Sequence, residues 1–255
     1  MVGPPNFSTD HECGLLVEGY DFTPQILENS NHHYHRELFE SEGLVNAMDL
    51  LKSEIRYEDR PRVLPIIAKL LSASSRNMES ASVQCASASC ARRSAPSSRS
   101  MTRCGRRTGG SFLLTDHECD HMVKELSPVL DEDFARVAET SDGQAFGVAL
   151  SLPDFNRALS ALDARLLPLG WLHAGRERRR INEIRVFALD EWRAYQHTGV
   201  GARLYHNVWE ACARRGIESA ETGWILETNK SMNAAMEALA GRIVKRYRIY
   251  ERPLG

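Results

Sequence analysis

The alternation of apolar and polar positions is clearest between residues 134 and 140. Phe134 to Thr140 (FARVAET) alternates with period two, as a half-buried strand does. Ser141-Asp142-Gly143-Gln144 then supplies an Asp-Gly turn, and Ala145 to Leu152 returns as an apolar strand that stops at Pro153, so the pattern predicts a β-hairpin. Leu159, Leu162, Leu166 and Leu169 follow at helical spacing and read as a core stripe. Ile184 to Leu189 (IRVFAL) predicts another strand, Asp190 to Thr198 a loop, and Leu204, Val208, Ala211 and Cys212 mark a helix closed by Gly216. Upstream, Thr115 stands three residues before Glu118 in a capping box, and its helix runs to about Leu126, ahead of Pro128.

Residues 1–71 are also patterned like folded protein. Gly14 to Tyr20 is a short apolar run between glycines. His33 to Gly43 predicts a short helix with Tyr34, Leu38 and Phe39 on one side and Gly43 at its end, and Pro65 to Leu71 begins a further helix or strand. Between these two regions the pattern stops. Residues 72–111 hold 12 Ser, 6 Ala, 7 Arg and 3 Cys but no Leu, Ile, Phe, Tyr or Trp, and Glu79 is the sole acid. Such a stretch cannot bury enough apolar surface to offset its ordering entropy, so disorder is expected there.

The 255 residues carry 32 Lys+Arg against 34 Asp+Glu, a formal charge of −2, which gives no global field toward nucleic acid or an anionic membrane. The Arg-rich stretch lacks the interleaved aromatics of a nucleic-acid surface, so no nucleic-acid partner is expected. No apolar run is long enough to span a bilayer, and the amino terminus lacks the basic and apolar regions of a signal peptide; no membrane association and a cytoplasmic location are expected. The six cysteines show neither Cys-x-x-Cys nor zinc spacing, and His32, His33 and His35 lack a metal-ligand pattern, so no metal is expected.

The chemistry concentrates where a strand turns into a helix. Gln196-His197-Thr198-Gly199-Val200-Gly201, continued by Ala202, stands at a helix start, where backbone N–H groups and the positive helix end favour a diphosphate. Glycine at 199 and 201 lets the backbone approach an anion. A Rossmann fingerprint wants a third glycine where Leu204 stands, and a P-loop wants Lys-Ser/Thr where Ala202-Arg203 stand. The pattern that fits is Gln/Arg-x-x-Gly-x-Gly/Ala between strand and helix.

In this loop the sequence resembles the GNAT superfamily of N-acetyltransferases, whose corresponding loop holds the pyrophosphate of acetyl-CoA. The hairpin at 134–153 looks like that fold's central antiparallel pair. Ile217 to Leu226, the turn Glu227-Thr228-Asn229 and the helix Ser231 to Leu239 are similar to its next strand, turn and helix. GPPNFSTDHECGLLVEGYD, GWILETN and RIVKRYRIYERPL further resemble a bacterial group of longer GNAT proteins with two GNAT-like halves and no assigned substrate.

The resemblance implies an α/β fold, a GNAT-type mixed, mostly antiparallel sheet flanked by helices. It implies that 112–255 is the acetyltransferase-like domain, that 1–71 is the end of a degenerate first unit, and that the chain begins inside that unit. The group carries an aromatic-rich string just before the Leu-Thr-Asp at 114–116, where this chain reads SMTRCGRRTGGS. Read one base out of register, Met101 followed by Thr102 gives aspartate, and suitable codons through Ser111 give a string of the group's kind. A pair of compensating frameshifts over 72–111 is therefore the reading taken, with a flexible Ser/Arg linker as the alternative. On that reading the first strand and helices of the domain are missing.

The activity the resemblance implies is direct transfer of an acetyl group from acetyl-CoA, as co-substrate, to the amine of an unknown acceptor. The alternative is a non-catalytic remnant that binds acyl-CoA or no ligand. Many GNAT enzymes place a tyrosine as general acid near the position of Met236, which carries no transferable proton. A carboxylate on the loop-bearing strand often serves as base; Glu183 is the candidate, with an exposed strand-end glutamate as the other reading. Asn229 either binds the cofactor arm or caps the helix that follows. Cys212 reads as core.

Overall fold

The computed structural model describes residues 2–4, 13–74, 81–85, 129–140, 145–156, 180–191 and 199–253. The chain divides into two compact units. One comprises Met1–Ile55, Asp154–Ile181 and Glu221–Gly255; the other comprises Arg56–Pro153 and Asn182–Ala220.

The first unit joins strands from opposite ends of the sequence. Strand β10 (Arg242–Glu251) pairs antiparallel with β1 (Val2–Gly3), β2 (Leu15–Glu18) and β3 (Val45–Arg56). On its other side β3 pairs with the short β9 (Ile225–Leu226), which follows β8 (Ser219–Thr222) in the chain, Leu50 facing both Tyr247 and Leu226. Cys13, Leu16, Leu50 and Tyr247 are buried together, and Trp224 meets the Tyr247 ring edge-on at 5.7 Å. The turn after β2 depends on Gly19, whose φ is +89°. A Cβ there would sit 2.1 Å from the Val244 carbonyl oxygen, so no other residue permits this approach to β10.

Helix α1 (Tyr34–Ser41) falls where the sequence pattern places it, with Gly43 at φ +75° just beyond its end. The apolar side expected to pack is only partly used. Phe39 reaches the Tyr250 ring at 5.4 Å, whereas Tyr34 and Leu38 stay 53% exposed.

In the second unit β7 (Glu183–Glu191), β6 (Ala145–Pro153), β5 (Ala135–Thr140) and β4 (Ala81–Cys85) lie side by side in that order, each pair antiparallel. β5 and β6 are the two strands of the expected hairpin; their turn, 141–144, lies outside the described residues, as do the helices expected at 115–126 and 159–169. Within the stretch expected to lack structure, Ala81–Cys85 pairs with Arg136–Thr140. Residues 75–80 and 86–128 lie outside the described ones.

Helix α2 (Arg60–Ser74) begins earlier than the Pro65 start read from sequence, and Pro65 lies inside it. Val63 and Ile67, four residues apart, are its buried side. The 3-10 turn Tyr57–Asp59 leads into it, with Tyr57 5.7 Å from Trp209 and Arg60 bonded to Glu210 at 3.0 Å.

Candidate functional site

Helix α3 (Val200–Arg215) follows β7 in the second unit. Val200, Leu204, Val208 and Ala211 recur every three to four residues and bury one side of it, with Cys212 beside them. They pack on Phe134, from the 3-10 turn Glu132–Phe134, and on Ala138, Ala149 and Ile184 from the sheet. The helix start is therefore held by its own core, Val200 being 1% and Leu204 0% exposed. At the other end Gly216 (φ +67°) closes the helix, and Arg214 and Arg215 reach back to Asp131 and Asp133.

Gly199 is the N-cap, with φ 86° and ψ 8°. This left-handed conformation is open to glycine and strained for most other residues, and it sets the direction in which the chain enters α3. The helical ladder begins with the Arg203 N–H donating to the Gly199 carbonyl at 3.0 Å. The amides ahead of Arg203 form the electropositive helix end. Gly199, Val200, Gly201 and Ala202 thus stand together at the helix start; Gln196, His197 and Thr198 lie outside the described residues.

Asn229 belongs to the first unit, where it is the N-cap of α4 (Lys230–Ala238). Its Oδ1 accepts from the Met232 N–H at 3.2 Å and from the Ser231 hydroxyl at 3.0 Å. The capping alternative is what the geometry displays. Replacing Asn229 by Ala is expected to lower stability by about 1 kcal/mol.

Glu183 opens β7 and is half-buried, whereas Gly199 follows the far end of that strand. A rise of about 3.3 Å per residue puts roughly 26 Å between the first and last residues of β7, so the strand does not bring Glu183 to the helix start. Met236 is buried, 3% exposed, on α4. Cys212 is buried as expected of a core residue, and burial pushes its thiol up to about 12.

One feature of β7 had no signal in the sequence. Its pairing with β6 slips: Leu150 faces Ala188, but Ser151 faces Val186. Phe187 is the extra residue of a β-bulge, which takes its main chain out of the ladder in the middle of the loop-bearing strand. Nothing in IRVFAL announces this, because a bulge is a property of two strands.

Among the described residues no group of three or more His, Cys, Asp or Glu side chains gathers to hold a metal, and no helix is long and apolar enough to cross a membrane. No protein-family model matches the sequence. The structure aligns with a GCN5-related N-acetyltransferase from Sphaerobacter thermophilus at a TM-score of 0.55 and 12% identity, over 89% of this chain and 57% of that one. The fold is that of the GCN5-related N-acetyltransferases. A tandem GNAT protein from the clavulanic acid biosynthesis pathway aligns at a TM-score of 0.50 and 9% identity, over 93% of this chain and 62% of its own.

By sequence, the chain is 28% identical over 272 aligned positions to the bacterial ceramide synthase of Caulobacter vibrioides and 27% identical over 265 to protein YghO of Escherichia coli. These alignments take in 99% and 100% of this chain. The chain spans 66% of the length of each relative.

Proposed function

We propose that the chain takes part in acyl transfer from a CoA thioester to an amine, acetyl-CoA being the donor the loop motif implies. The observation that carries this reading is the left-handed Gly199 turn delivering the start of α3, on the GNAT fold, as a cradle for the CoA diphosphate. The bulge at Phe187 supports it, since main-chain groups taken out of a ladder can meet the polarised carbonyl of a thioester. In the transfer, the amine nitrogen attacks the thioester carbonyl carbon. The C–N bond forms, the C–S bond breaks, CoA leaves as the thiol and the amine gives up one proton. No acyl-enzyme is needed, in keeping with Cys212, whose buried thiol is unsuited to attack.

The relative named for ceramide synthesis bears on the acceptor. A ceramide is the amide of a long-chain amino alcohol, so its formation is N-acylation, the same reaction class. A long-chain amino alcohol therefore belongs beside small amines among the acceptors for this chain.

A second reading, acyl-CoA binding without transfer, is favoured by two observations. Met236 offers no proton on α4, and Glu183 stands at the end of β7 remote from the helix start. One experiment separates the readings. Purified protein is titrated with acetyl-CoA and a long-chain acyl-CoA by calorimetry, then assayed for free thiol with polyamines, amino sugars and sphinganine. Binding with amine-dependent thiol release supports transfer, and binding alone supports the second reading. Failure to bind either thioester overturns both.

A further inference from the structure

Four charged side chains meet inside the first unit. Lys52 on β3 contacts Glu28 Oε1 at 2.8 Å and Glu221 Oε2 at 2.6 Å. Lys245 on β10 contacts Glu28 Oε2 at 3.2 Å and Glu221 Oε1 at 2.9 Å. Each lysine thus touches both glutamates, and the charges balance. All four side chains are at most 8% exposed. The Tyr247 hydroxyl donates to Glu28 Oε1 at 2.7 Å, the Gln25 N–H to Oε2 at 2.6 Å, and Lys245 also donates to the Thr23 carbonyl at 2.9 Å. Burial pushes the Glu28 carboxyl up, but the two ammonium groups outweigh it and hold it at about 2.

The two lysines are direct partners across the β3–β10 ladder. Like charges facing each other across a buried strand pair are unfavourable, and a buried ion pair seldom outperforms apolar residues of the same volume. The pair also sits at a slip in register, between Ile243 facing Ser53 and Lys245 facing Lys52, beneath the close approach of Gly19. The arrangement is thus costly in every alignment but one. Sliding β3 by one residue turns its side chains to the opposite face, and sliding it by two carries Lys52 away from Lys245. Either shift leaves a buried ammonium without its carboxylates.

We propose that this ionic quartet is a register lock. It makes the single pairing of β3 with β10, two strands distant in sequence, the one in which all four of these charges are met.

The test compares the full-length parent with a neutral quadruple variant, Glu28→Gln, Lys52→Met, Glu221→Gln and Lys245→Met. A lock that selects rather than stabilises predicts a melting temperature within about 5 °C of the parent. It also predicts doubled amide resonances over 45–56 and 242–251, the mark of two registers. Lys245→Met alone, which strands carboxylates, should lower the melting temperature by roughly 10 °C or more. A charge-reversed quadruple variant (Glu28→Lys, Lys52→Glu, Glu221→Lys, Lys245→Glu) should recover one set of resonances. The proposal is overturned by a neutral variant that folds with a single set of resonances. It is overturned equally by a neutral variant that cannot fold, since the charges would then supply stability rather than choose the pairing.

Discussion

Replacing Gly199 by Asp should weaken acyl-CoA binding at least tenfold, about 1.4 kcal/mol. Two effects act in the same direction. The substitution places a carboxylate against the diphosphate at the electropositive start of α3, and it puts a Cβ where the backbone adopts φ 86°. Gly199→Ala separates them, since it keeps the strain and omits the charge, and it should lose less affinity. Gly201→Asp, two residues further into the helix and outside the positive-φ region, brings the charge without the backbone strain and should also weaken binding. α3 is anchored by Leu204, Val208 and Ala211, so both aspartate variants should retain the folded core, which circular dichroism would check. Calorimetric affinities equal to the parent's would remove the cradle from the functional reading.

The second large effect is expected at Glu28. Its carboxyl is held at about 2 against an ordinary value of 4.5, so its contribution to stability is complete above pH 4.5 and is lost as pH falls toward 2. A depression of that size corresponds to roughly 3 kcal/mol. The parent should therefore lose stability steeply between pH 5 and 2 in urea titrations. Glu28→Gln should cost about 3–5 kcal/mol at neutral pH, because Lys52 and Lys245 would then share Glu221 alone. Its acid limb should be flatter, since the group that titrates there is gone. A variant with the parent's acid limb would mean that another carboxylate governs it. Asp49 is the alternative: burial raises its carboxyl, but hydrogen bonds from Arg248 and Arg246 bring it below its usual range.

The elements legible in the sequence are those whose signals are local. Period-two alternation from 134 to 140 marks β5, the Asp-Gly turn and the apolar run after it mark β6, and the recurrence of Leu204, Val208 and Ala211 marks α3 between two glycines, both with positive φ. Asn229 ahead of Ser231 reads as a helix start and is one. Each signal rests on side chains within a few residues of one another, where spacing alone decides which face is buried.

The tertiary structure decided the rest. Ala81–Cys85 (ASVQC) alternates apolar and polar over only five residues and has no large apolar residue beyond Val83, too short a signal to stand out from its Ser/Ala/Arg-rich surroundings; β5 gives it a strand, because a ladder is bonded through backbone groups that every such residue carries. The bulge at Phe187 depends on how Leu150 and Ser151 of β6 meet β7, so no reading of one strand contains it. Glu28, Lys52, Glu221 and Lys245 look in sequence like ordinary surface charges. They become buried partners only when β3 and β10, distant in sequence, lie side by side and bring the loop before α1 with them. The sequence by itself determined the local elements and the strand–glycine–helix junction. Strand partners, register and buried charge were decided by contacts between distant residues, whose energies depend on neighbours that sequence spacing does not specify.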